Sequence, residues 1–465
     1  MQEQEGVTVN RAEKIIKKIM RKGKIPGVCV VIARKGKEDI IRGFGYAHLK
    51  KKIPVTADTL FELASSSKSF TGLALLQLEK KKLIKLTDPV SKFFPWFYVK
   101  YYDEKYDLTI KQLLHHTSGI PWTAISRISP GNDDGSLEQT VRKIAGIELE
   151  SMPGKRLGYS TVNYDILGAI LEKVTGKTFE DYMQTRVFKP LKLNSTSVGV
   201  DKNNPLTAAG YKTGLFFPGK YDAPVFRGNN PAAYVISNGN DMARWLKLQM
   251  GLVRSRLSPL IKKAQKPGRD PSYGGWNRYL YGAGWIVQKE NRNEICHSGL
   301  NPTFTAYIGF NKEEKIGVAV LANSNSMYSQ AIADYLMSLF TGKRHRSILL
   351  FSFFPGKYSP LISLLFGSFL LFAVNFLLLI LLDIFRGSRN YAPLTGEKTA
   401  LLFIGTSFFI AVITGFLLYP SAVRKVNWRT SIVWSAKSFL TAVILFLTSS
   451  VFAYILFLLL LFFPK

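Results

Sequence analysis

Ser65 and Lys68 stand three residues apart, at the start of an apolar segment predicted to be helical. This spacing places both side chains on one face of a helix. A serine hydroxyl needs an adjacent base to become a nucleophile, and a desolvated lysine can lose its proton and serve as that base. Backbone N–H groups at a helix start would stabilise negative charge on an attacked carbonyl. The pair predicts an acyl-transfer nucleophile; a solvated helix start is the alternative.

A second candidate is Tyr159, in the run Tyr159-Ser160-Thr161 before another apolar helix pattern. A tyrosine at this position could project its hydroxyl into a cleft. Beside a lysine ammonium we expect its pKa to fall, so that it relays a proton to the leaving group. An aromatic residue that only packs against the helix start is the alternative.

The third candidate is the run His297-Ser298-Gly299, at the end of a predicted strand. Glycine permits close approach of a substrate backbone, and the histidine or serine could hydrogen-bond a substrate carboxylate or carbonyl. A structural histidine is the alternative. Residues 115–121, which read HHTSGIP, are expected to support the site rather than to act in it.

These residues together predict a two-step acyl transfer. Lys68, with Tyr159, takes the proton from Ser65, which attacks an amide carbonyl. The backbone N–H groups of Ser65 and Leu300 form the expected oxyanion site. Tyr159 returns the proton to the leaving amine, and water then cleaves the acyl-enzyme. The scheme needs no metal and no organic cofactor.

Strand patterns near both ends of residues 1–345 surround a stretch rich in helix patterns. This order predicts an α+β fold, in which an antiparallel sheet is flanked by helices and carries an all-helical subdomain. The predicted helices cover 11–24 and 66–81, the helical insertion covers 107–220, and the predicted strands cover 27–34, 38–46, 281–289, 293–297, 303–310 and 315–322.

Residues 346–465 differ in character and contain three apolar stretches, near 360–382, 400–418 and 438–463. Each is long enough to cross the roughly 30 Å hydrocarbon core of a bilayer. Buried core helices are the alternative. Charges in the connecting loops do not decide the orientation. The division predicts a catalytic domain followed by a transmembrane domain.

The formal net charge of +30 is consistent with nucleic acid, anionic lipid or cell wall as a neighbour. No nucleic-acid-binding signature accompanies the lysines, so a surface near anionic lipid or cell wall is favoured. Cys29 and Cys296 are too few for a disulfide framework or a zinc cluster, although a single disulfide remains open. Residues 1–10 carry no apolar run, so either a signal was removed or the first membrane helix directs insertion and leaves the enzyme inside.

The three motifs, in order from Ser65 to Gly299, resemble those of the serine penicillin-binding protein and class C β-lactamase superfamily. The resemblance covers residues 10–342 and implies a β-lactamase/transpeptidase-like fold. Two positions depart from the usual pattern. Thr161 stands where an asparagine is usual, and His297 stands where a lysine is usual. Both departures weaken the expectation of β-lactam hydrolysis.

A narrower resemblance is carried by HHTSGIPW, YSTVNYDILGAILEKVTGKTF, NNPAAYVIS, YGAGW and HSGLNPTFTAYIGF, followed by three spans. These segments look like the membrane-bound D-asparaginyl peptidases that mature prodrug forms of colibactin, zwittermicin and amicoumacin. Such enzymes remove an N-acyl-D-asparagine cap as the precursor leaves the cell. The resemblance implies that Ser65, Lys68 and Tyr159 are the catalytic triad.

The same resemblance implies a set of substrate-binding residues. Thr161, Asn229 and Asn301 would bind the D-Asn side-chain amide, and Glu62 is the acid that precedes the nucleophile. Asn301 matches the family directly, whereas Thr161 replaces a serine and Asn229 replaces a histidine. The expected partners are an acylated peptide-like substrate, membrane lipid, an exporter and further copies of the chain. The expected location is the cell membrane, with the catalytic domain on its outer face.

Three other functions remain open from the sequence. One is a D-Ala-D-Ala carboxypeptidase or β-lactamase. A second is a lipolytic or D-alanyl esterase acting on teichoic acid, which a basic surface would suit. A third is a membrane receptor that binds β-lactams without hydrolysing them.

Overall fold

A computed structural model describes residues 2–199, 201, 203–268, 279–289, 293–343, 359–422 and 425–464, with side chains from residue 10 onward. The chain divides into two compact units, Met1–Thr213 with Pro218–Ser352 and Gly214–Phe217 with Phe353–Lys465. The domain boundary predicted at 345/346 lies outside the described residues.

The part of the chain that the structure describes contains fifteen β-strands. They are β1 Gly27–Arg34, β2 Ile40–His48, β3 Ile53–Pro54, β4 Phe61–Glu62, β5 Val99–Tyr101, β6 Glu104–Tyr106, β7 Ser197–Val198, β8 Tyr211–Lys212, β9 Gly219–Lys220, β10 Val235–Ser237, β11 Tyr279–Tyr281, β12 Ile286–Gln288, β13 Glu294–Leu300, β14 Thr305–Asn311 and β15 Ile316–Ala322.

The α-helices follow the same chain order. They are α1 Gln2–Gly23, α2 Lys68–Lys80, α3 Ile110–Leu114, α4 Ser136–Ile144, α5 Val162–Thr175, α6 Phe179–Tyr182, α7 Lys189–Leu191, α8 Asn230–Ala233, α9 Gly239–Met250, α10 Ser258–Ala264, α11 Tyr328–Thr341, α12 Ser359–Phe385, α13 Gly396–Ala422, α14 Trp428–Trp434 and α15 Lys437–Phe462. Four 3₁₀ turns (Ala64–Ser67, Val90–Lys92, Trp122–Arg127, Arg227–Asn229) and a π-helical turn (Met183–Phe188) complete the set.

An eight-stranded sheet forms the frame of the first unit, in the order β11-β12-β13-β14-β15-β1-β2-β3. Its pairs are antiparallel, and β1 from near the start of the chain pairs with β15 in a register that runs from Val28 with Ala322 to Arg34 with Ile316. The sequence of β1, GVCVVIAR, is almost continuously apolar and buried, as a strand with both faces covered must be. The predicted α+β fold is confirmed.

Helices cover this sheet. Helix α11 packs on β14 and β15, α1 packs on α11, and α9 packs on β1, β14 and β15. Helices α2, α3, α4, α5 and α8 pack on one another in the helical part. Helix α5, which follows the predicted tyrosine motif, is buried from Val162 to Leu171 and therefore forms the centre of that part.

Two predicted elements differ in detail. The strand predicted over 281–289 is two strands, β11 and β12, because a tight turn intervenes: the Gly282 N–H donates to the Trp285 carbonyl at 2.7 Å, and Gly284 has a φ of +83°. The helical insertion predicted over 107–220 ends in the short strands β7, β8 and β9. These strands are only two residues long, too short for an alternating pattern to be recognised in sequence.

The second unit contains three long apolar helices, α12, α13 and α15, whose mean hydropathies are 2.6, 2.4 and 2.6. Their lengths of 26–27 residues suffice to cross a membrane, as predicted from the sequence. Helices α12 and α15 pack along a seam formed by Ala373, Ile380 and Leu456. Near the start of both helices, the hydroxyls of Ser359 and Ser438 lie 2.6 Å apart.

Candidate active site

Ser65 lies in the 3₁₀ turn Ala64–Ser67, directly before α2. The preceding Ala64 has a φ of +46°, a left-handed conformation that is costly for a residue with a Cβ. Two hydrogen bonds hold the turn: the Leu63 N–H donates to the Val235 carbonyl at 2.8 Å, and the Ser66 hydroxyl donates to the His297 carbonyl at 3.0 Å. The nucleophile candidate is therefore presented on a strained turn clamped between two strands.

The close packing around Gly299 explains why the third motif, His297-Ser298-Gly299, ends in glycine. A Cβ at this position would lie 2.6 Å from both the Ser65 backbone nitrogen and the Leu63 carbonyl oxygen. Strand β13 can therefore pass this close to the nucleophile turn only if residue 299 has no side chain. Leu300 follows in the same strand and is buried. Its role as the second oxyanion donor stays a prediction.

Lys68 is fully buried, and its Nζ has three neighbours at hydrogen-bond distance. They are Ser65 Oγ at 3.2 Å, Thr161 Oγ1 at 3.2 Å and the Ala232 carbonyl oxygen at 2.9 Å. Burial lowers the pKa of Lys68 to about 7, and the nearby charge of Asp165 opposes that shift. Near neutral pH a sizeable fraction of the amine is thus uncharged, with a lone pair available for the Ser65 proton.

The Tyr159 side chain is close to both members of this pair. Its ring centroid lies 5.2 Å from Lys68 Nζ, and Ser65 is close enough to influence the pKa of its hydroxyl. The expectation that its pKa falls is wrong. Burial raises the pKa of Tyr159 above its usual value of 10 and outweighs the opposing effect of Ser65. Tyr159 is therefore a neutral phenol, suited to pass a proton on rather than to remain ionised.

His116 lies behind Tyr159, with ring centroids 4.4 Å apart. Its Nδ1 accepts from the Asn163 side-chain amide at 2.9 Å and from the Ser160 N–H at 3.3 Å. Burial, followed by the charge of Lys68, holds the pKa of His116 well below its usual value, so the ring is neutral. This geometry fits the supporting role expected for residues 115–121.

His297 is also buried, and both of its ring nitrogens are engaged. Its Nδ1–H donates to the Ser298 carbonyl at 2.7 Å, so its Nε2 accepts from the Tyr281 hydroxyl at 2.8 Å. Burial, followed by the charge of Lys68, lowers the pKa of His297 to about 3. The residue in the position of the usual lysine is thus a neutral hydrogen-bonding group. Substrate contacts by His297 and Ser298 stay predictions.

Glu62 and Asn301 form a second polar pair. The Asn301 side-chain amide donates to Glu62 Oε2 at 2.6 Å and to the Ala233 carbonyl at 3.0 Å. Asn301 Oδ1 is buried and has no hydrogen-bond partner among the residues that the structure describes. It is therefore an acceptor that a ligand N–H could satisfy. Glu62 also lines a cleft of about 850 Å³ that extends to Arg227.

Asp165 was missed in the sequence. It lies on α5, is fully buried, and accepts from Nδ2 of Asn229 at 3.0 and 3.1 Å when that amide is oriented with its nitrogen toward the carboxylate. The signal that could have found it is an acidic residue inside an apolar run, Tyr164-Asp165-Ile166. Two of the predicted substrate-binding residues contact other polar groups of the site: Thr161 contacts Lys68, and Asn229 contacts Asp165. The contacts of Thr161 and Asn229 with a substrate stay predictions.

The structure also bears on metal binding and on the two cysteines. Within the described ranges, no group of three or more His, Cys, Asp or Glu side chains could hold a metal ion. Cys29 and Cys296 are both buried free thiols, which settles the open question of their pairing. They stand on β1 and β13, which β14 and β15 separate in the sheet.

Comparison with known proteins gives one consistent result. A family model described as Beta-lactamase matches residues 12–339. Protein flp of Staphylococcus aureus strain N315 is 33% identical over 326 residues, which is 70% of this chain and 65% of the relative. A protein named Beta-lactamase from Escherichia coli strain K12 is 29% identical over 66% of this chain and 86% of its own length. The chain thus spans somewhat less than two thirds of flp.

A solved structure agrees with these sequence relatives. It is the octameric penicillin-binding protein homologue from Pyrococcus abyssi, which superposes with a TM-score of 0.61 and is 29% identical. The match covers 72% of this chain and 78% of that one.

Proposed function

The chain belongs to the beta-lactamase family, and we propose that it is a membrane-anchored serine hydrolase that cleaves the amide bond after an N-acyl-D-amino acid. One observation carries the proposal: the buried Lys68 amine is 3.2 Å from the Ser65 hydroxyl. The fold is typical of serine hydrolases, and the tail has three helices fit to span a membrane. Activity and substrate are our inference.

Acylation begins when uncharged Lys68 takes the Ser65 proton, since burial brings the pKa of Lys68 to about 7. Ser65 Oγ then bonds to the substrate carbonyl carbon, and the oxyanion accepts from the Ser65 N–H and a second donor expected at Leu300. The proton on Lys68 passes through Tyr159 to the leaving nitrogen. The C–N bond breaks, and the amine departs.

Deacylation uses the same groups in the reverse direction. Water gives a proton to Lys68 through Tyr159 and attacks the acyl carbonyl carbon. The C–O bond to Ser65 breaks, and the Ser65 oxygen takes up the proton. Because Tyr159 is a buried phenol with a raised pKa, it can carry the proton in both directions without resting as a phenolate.

The electrostatics of the third motif disfavour substrates that are recognised by a terminal carboxylate. His297 is neutral because its pKa is lowered to about 3 and both its nitrogens are engaged. A carboxylate beside it would therefore gain no charge-assisted bond from this residue. This argues against a D-Ala-D-Ala carboxypeptidase or a β-lactamase and favours a neutral group at that position.

The Glu62–Asn301 pair supports D-asparagine as the residue on the acyl side. A primary amide has two N–H donors, which match the Asn301 Oδ1 acceptor and the Glu62 carboxylate. Its carbonyl would need a donor, which the Thr161 hydroxyl could supply, because its oxygen accepts from Lys68 and its O–H is left to donate. The cleft of about 850 Å³ that Glu62 lines offers space for the rest of a peptide-like substrate, although Ser65, Lys68 and Tyr159 are not among its lining residues.

The three apolar helices support a substrate that is met at the membrane. We propose that the catalytic unit lies on the outer face and receives an acylated precursor from lipid or from an exporter. A lipid-like acyl tail would favour such a location, because each buried methylene contributes about 0.8 kcal/mol.

A second candidate is supported by Glu62 and by the overall charge. A D-alanyl ester carries an ammonium, which the Glu62 carboxylate could pair with, and the net charge of +30 suits an anionic polymer such as teichoic acid. This candidate shares the Ser65 chemistry and differs in its substrate.

The experiment that distinguishes the D-Asn amide hydrolase from the D-alanyl esterase uses the full chain in lipid nanodiscs. Products are measured by mass spectrometry after incubation with N-myristoyl-D-Asn, N-myristoyl-L-Asn and D-alanyl ester substrates, with Ser65→Ala as the control. We expect the D-Asn amide to be cleaved much faster than the L-Asn amide. Turnover of the D-alanyl ester alone would replace it with the second candidate.

A further inference from the structure

The β8–β9 hairpin ends in an apolar tip. The seven residues between Lys212 and Lys220 read TGLFFPG and carry no charge. Within them, Phe216 is 64% exposed and Phe217 is 81% exposed. Among the large apolar side chains that the structure describes in residues 10–343, only Tyr102 is as exposed as Phe217. Two adjacent phenylalanines are costly to keep in water, so this tip should meet an apolar surface.

Hydrogen bonds fix the base of the hairpin on the first unit. The Tyr211 N–H donates to the Asn323 carbonyl at 3.1 Å, and the Tyr211 hydroxyl accepts from the Leu49 N–H at 2.8 Å. The Thr213 N–H donates to Asn325 Oδ1 at 2.9 Å. The exposed phenylalanines are therefore carried on a base that is held at several points.

The turn at the tip is closed tightly. Strand β8 pairs with β9 through Lys212 and Gly219, so the chain reverses within residues 213–218. A Cβ at Gly214 would lie 2.2 Å from the Phe217 carbonyl oxygen, an approach that only glycine permits. This turn places Phe216 and Phe217 at the end of the hairpin.

Lipid is the apolar surface that the chain itself brings within reach of the tip. Gly214–Phe217 and the apolar helices α12, α13 and α15 are members of one compact unit, and these helices are fit to span a membrane. Lys220, three residues after Phe217, has a half-exposed side chain. Aromatic rings that enter a bilayer interface are commonly accompanied by lysines whose charge stays among the headgroups.

The second strand of the hairpin leads into the cleft that Glu62 lines. Lys220 and Tyr221 are also lining residues of this cleft. They follow Phe217 by three and four residues, which is at most about 10–14 Å of extended chain. Lys212 Nζ lies 3.8 Å from the centroid of the Tyr221 ring and so ties this part of the cleft wall to the hairpin. A tip in lipid would therefore bring the cleft close to the membrane surface.

We propose that the hairpin tip, Gly214–Phe217, inserts into the lipid bilayer and holds the cleft that Glu62 lines at the membrane surface, where substrates with a lipid-like acyl chain enter it from the bilayer. The insertion follows from the two exposed phenylalanines and requires no catalytic activity. The choice of substrate rests on the proposed function. The tip is thus a membrane contact of the chain in addition to the three apolar helices.

The test places a fluorophore at the tip of the full chain. Phe217→Cys is labelled with the fluorophore NBD, while Cys29 and Cys296 are buried and should not react. The labelled chain is placed in phosphatidylcholine nanodiscs with and without a doxyl nitroxide on the lipid acyl chain. Interfacial apolar groups lie about 5–10 Å into the boundary between headgroups and acyl chains, so the nitroxide should lower the NBD emission about twofold or more.

Tyr102→Cys, labelled in the same way, is the matched control. Tyr102 is 82% exposed and stands in the turn between β5 and β6, beside Asp103 and Glu104. Carboxylates in a turn oppose entry into hydrocarbon, so the nitroxide should leave this emission unchanged. Quenching at residue 217 that is no stronger than at residue 102 would overturn the proposal. Blue-shifted emission at residue 217 without quenching would also overturn it, since protein rather than lipid would then cover the tip.

The choice of substrate is measured with an unlabelled double variant, Phe216→Ser with Phe217→Ser. Its KM for an N-myristoyl-D-Asn amide should rise about tenfold, while its KM for an N-acetyl-D-Asn amide should stay unchanged. Tyr102→Ser is the control and should change neither value. An equal rise for both substrates would overturn entry from the bilayer. A wild-type chain that cleaves neither amide would contradict the proposed function, whereas the quenching result would still decide whether the tip inserts.

Discussion

Gly299 and Ser65 approach so closely that a Cβ on the glycine would lie 2.6 Å from the serine backbone nitrogen. The contact joins the strand of the third motif to the turn that carries the nucleophile. It fixes the place where an oxyanion could meet the Ser65 N–H.

Gly299→Ala should displace β13 from the nucleophile turn, because the new methyl group would meet backbone atoms that cannot move away cheaply. Loss of one oxyanion donor costs about 100-fold or more in rate, so fluorophosphonate labelling of Ser65 should fall by that order. Gly135→Ala is the matched control, since its Cβ would meet only a glutamine side chain at 3.8 Å. Equal labelling of the two variants would mean that the close contact has no catalytic consequence.

Lys68 should set the acidic limb of the pH–activity profile. Because the uncharged amine is the base and burial lowers the pKa of Lys68 to about 7, activity should rise with pH through a midpoint near 7. Lys68→Arg should abolish this limb together with most of the activity, since a guanidinium stays charged at every accessible pH. The pH dependence of ester hydrolysis measures both effects. A rise centred near pH 10 in the wild type would show that Lys68 is not desolvated as described.

Tyr159 should act as a neutral relay. Tyr159→Phe should reduce acylation by about 100-fold or more, the usual contribution of a positioned acid–base group. Since burial holds the pKa of Tyr159 above 10, wild-type activity should show no loss from phenol ionisation between about pH 8 and pH 9.5. Stopped-flow kinetics over that pH range measures whether the activity declines. A decline that Tyr159→Phe removes would show that the phenol ionises at ordinary alkaline pH.

Asn301 should determine the preference for D-Asn. Asn301→Ala removes the buried Oδ1 acceptor and frees Glu62 from its 2.6 Å bond. The KM for an N-acyl-D-Asn amide should rise about tenfold or more, while hydrolysis of a simple acetyl ester should be little affected. Comparison of the two KM values in one preparation measures the split. A parallel change in both would indicate that the residue only supports the fold.

Much of the fold could be predicted from the sequence. Strand β1 and the three apolar helices are continuous apolar runs, and such runs report directly on burial in a sheet or in lipid. The Ser65–Lys68 contact follows from helical spacing alone, and the structure places the two side chains 3.2 Å apart. These features depend on neighbours in the chain, which is the information that a single sequence holds.

The remaining features depend on contacts between distant segments. The pKa of Tyr159 was expected to fall because only the lysine charge was considered, whereas burial by His116 and Tyr281 dominates. Asp165 was missed because its partner Asn229 is more than sixty residues away in the sequence. The engagement of His297 by Tyr281 was likewise not visible in a three-residue motif.

The most direct test of the central claim is to trap the acyl-enzyme. The full chain in nanodiscs is mixed with an N-myristoyl-D-Asn amide, quenched in acid within seconds, digested and mapped by mass spectrometry. We predict that the N-myristoyl-D-Asn acyl group is found on the Ser65 hydroxyl, and that neither adduct nor product forms with Ser65→Ala. Cleavage by a folded Ser65→Ala chain at the wild-type rate, or an adduct on another residue, would contradict it.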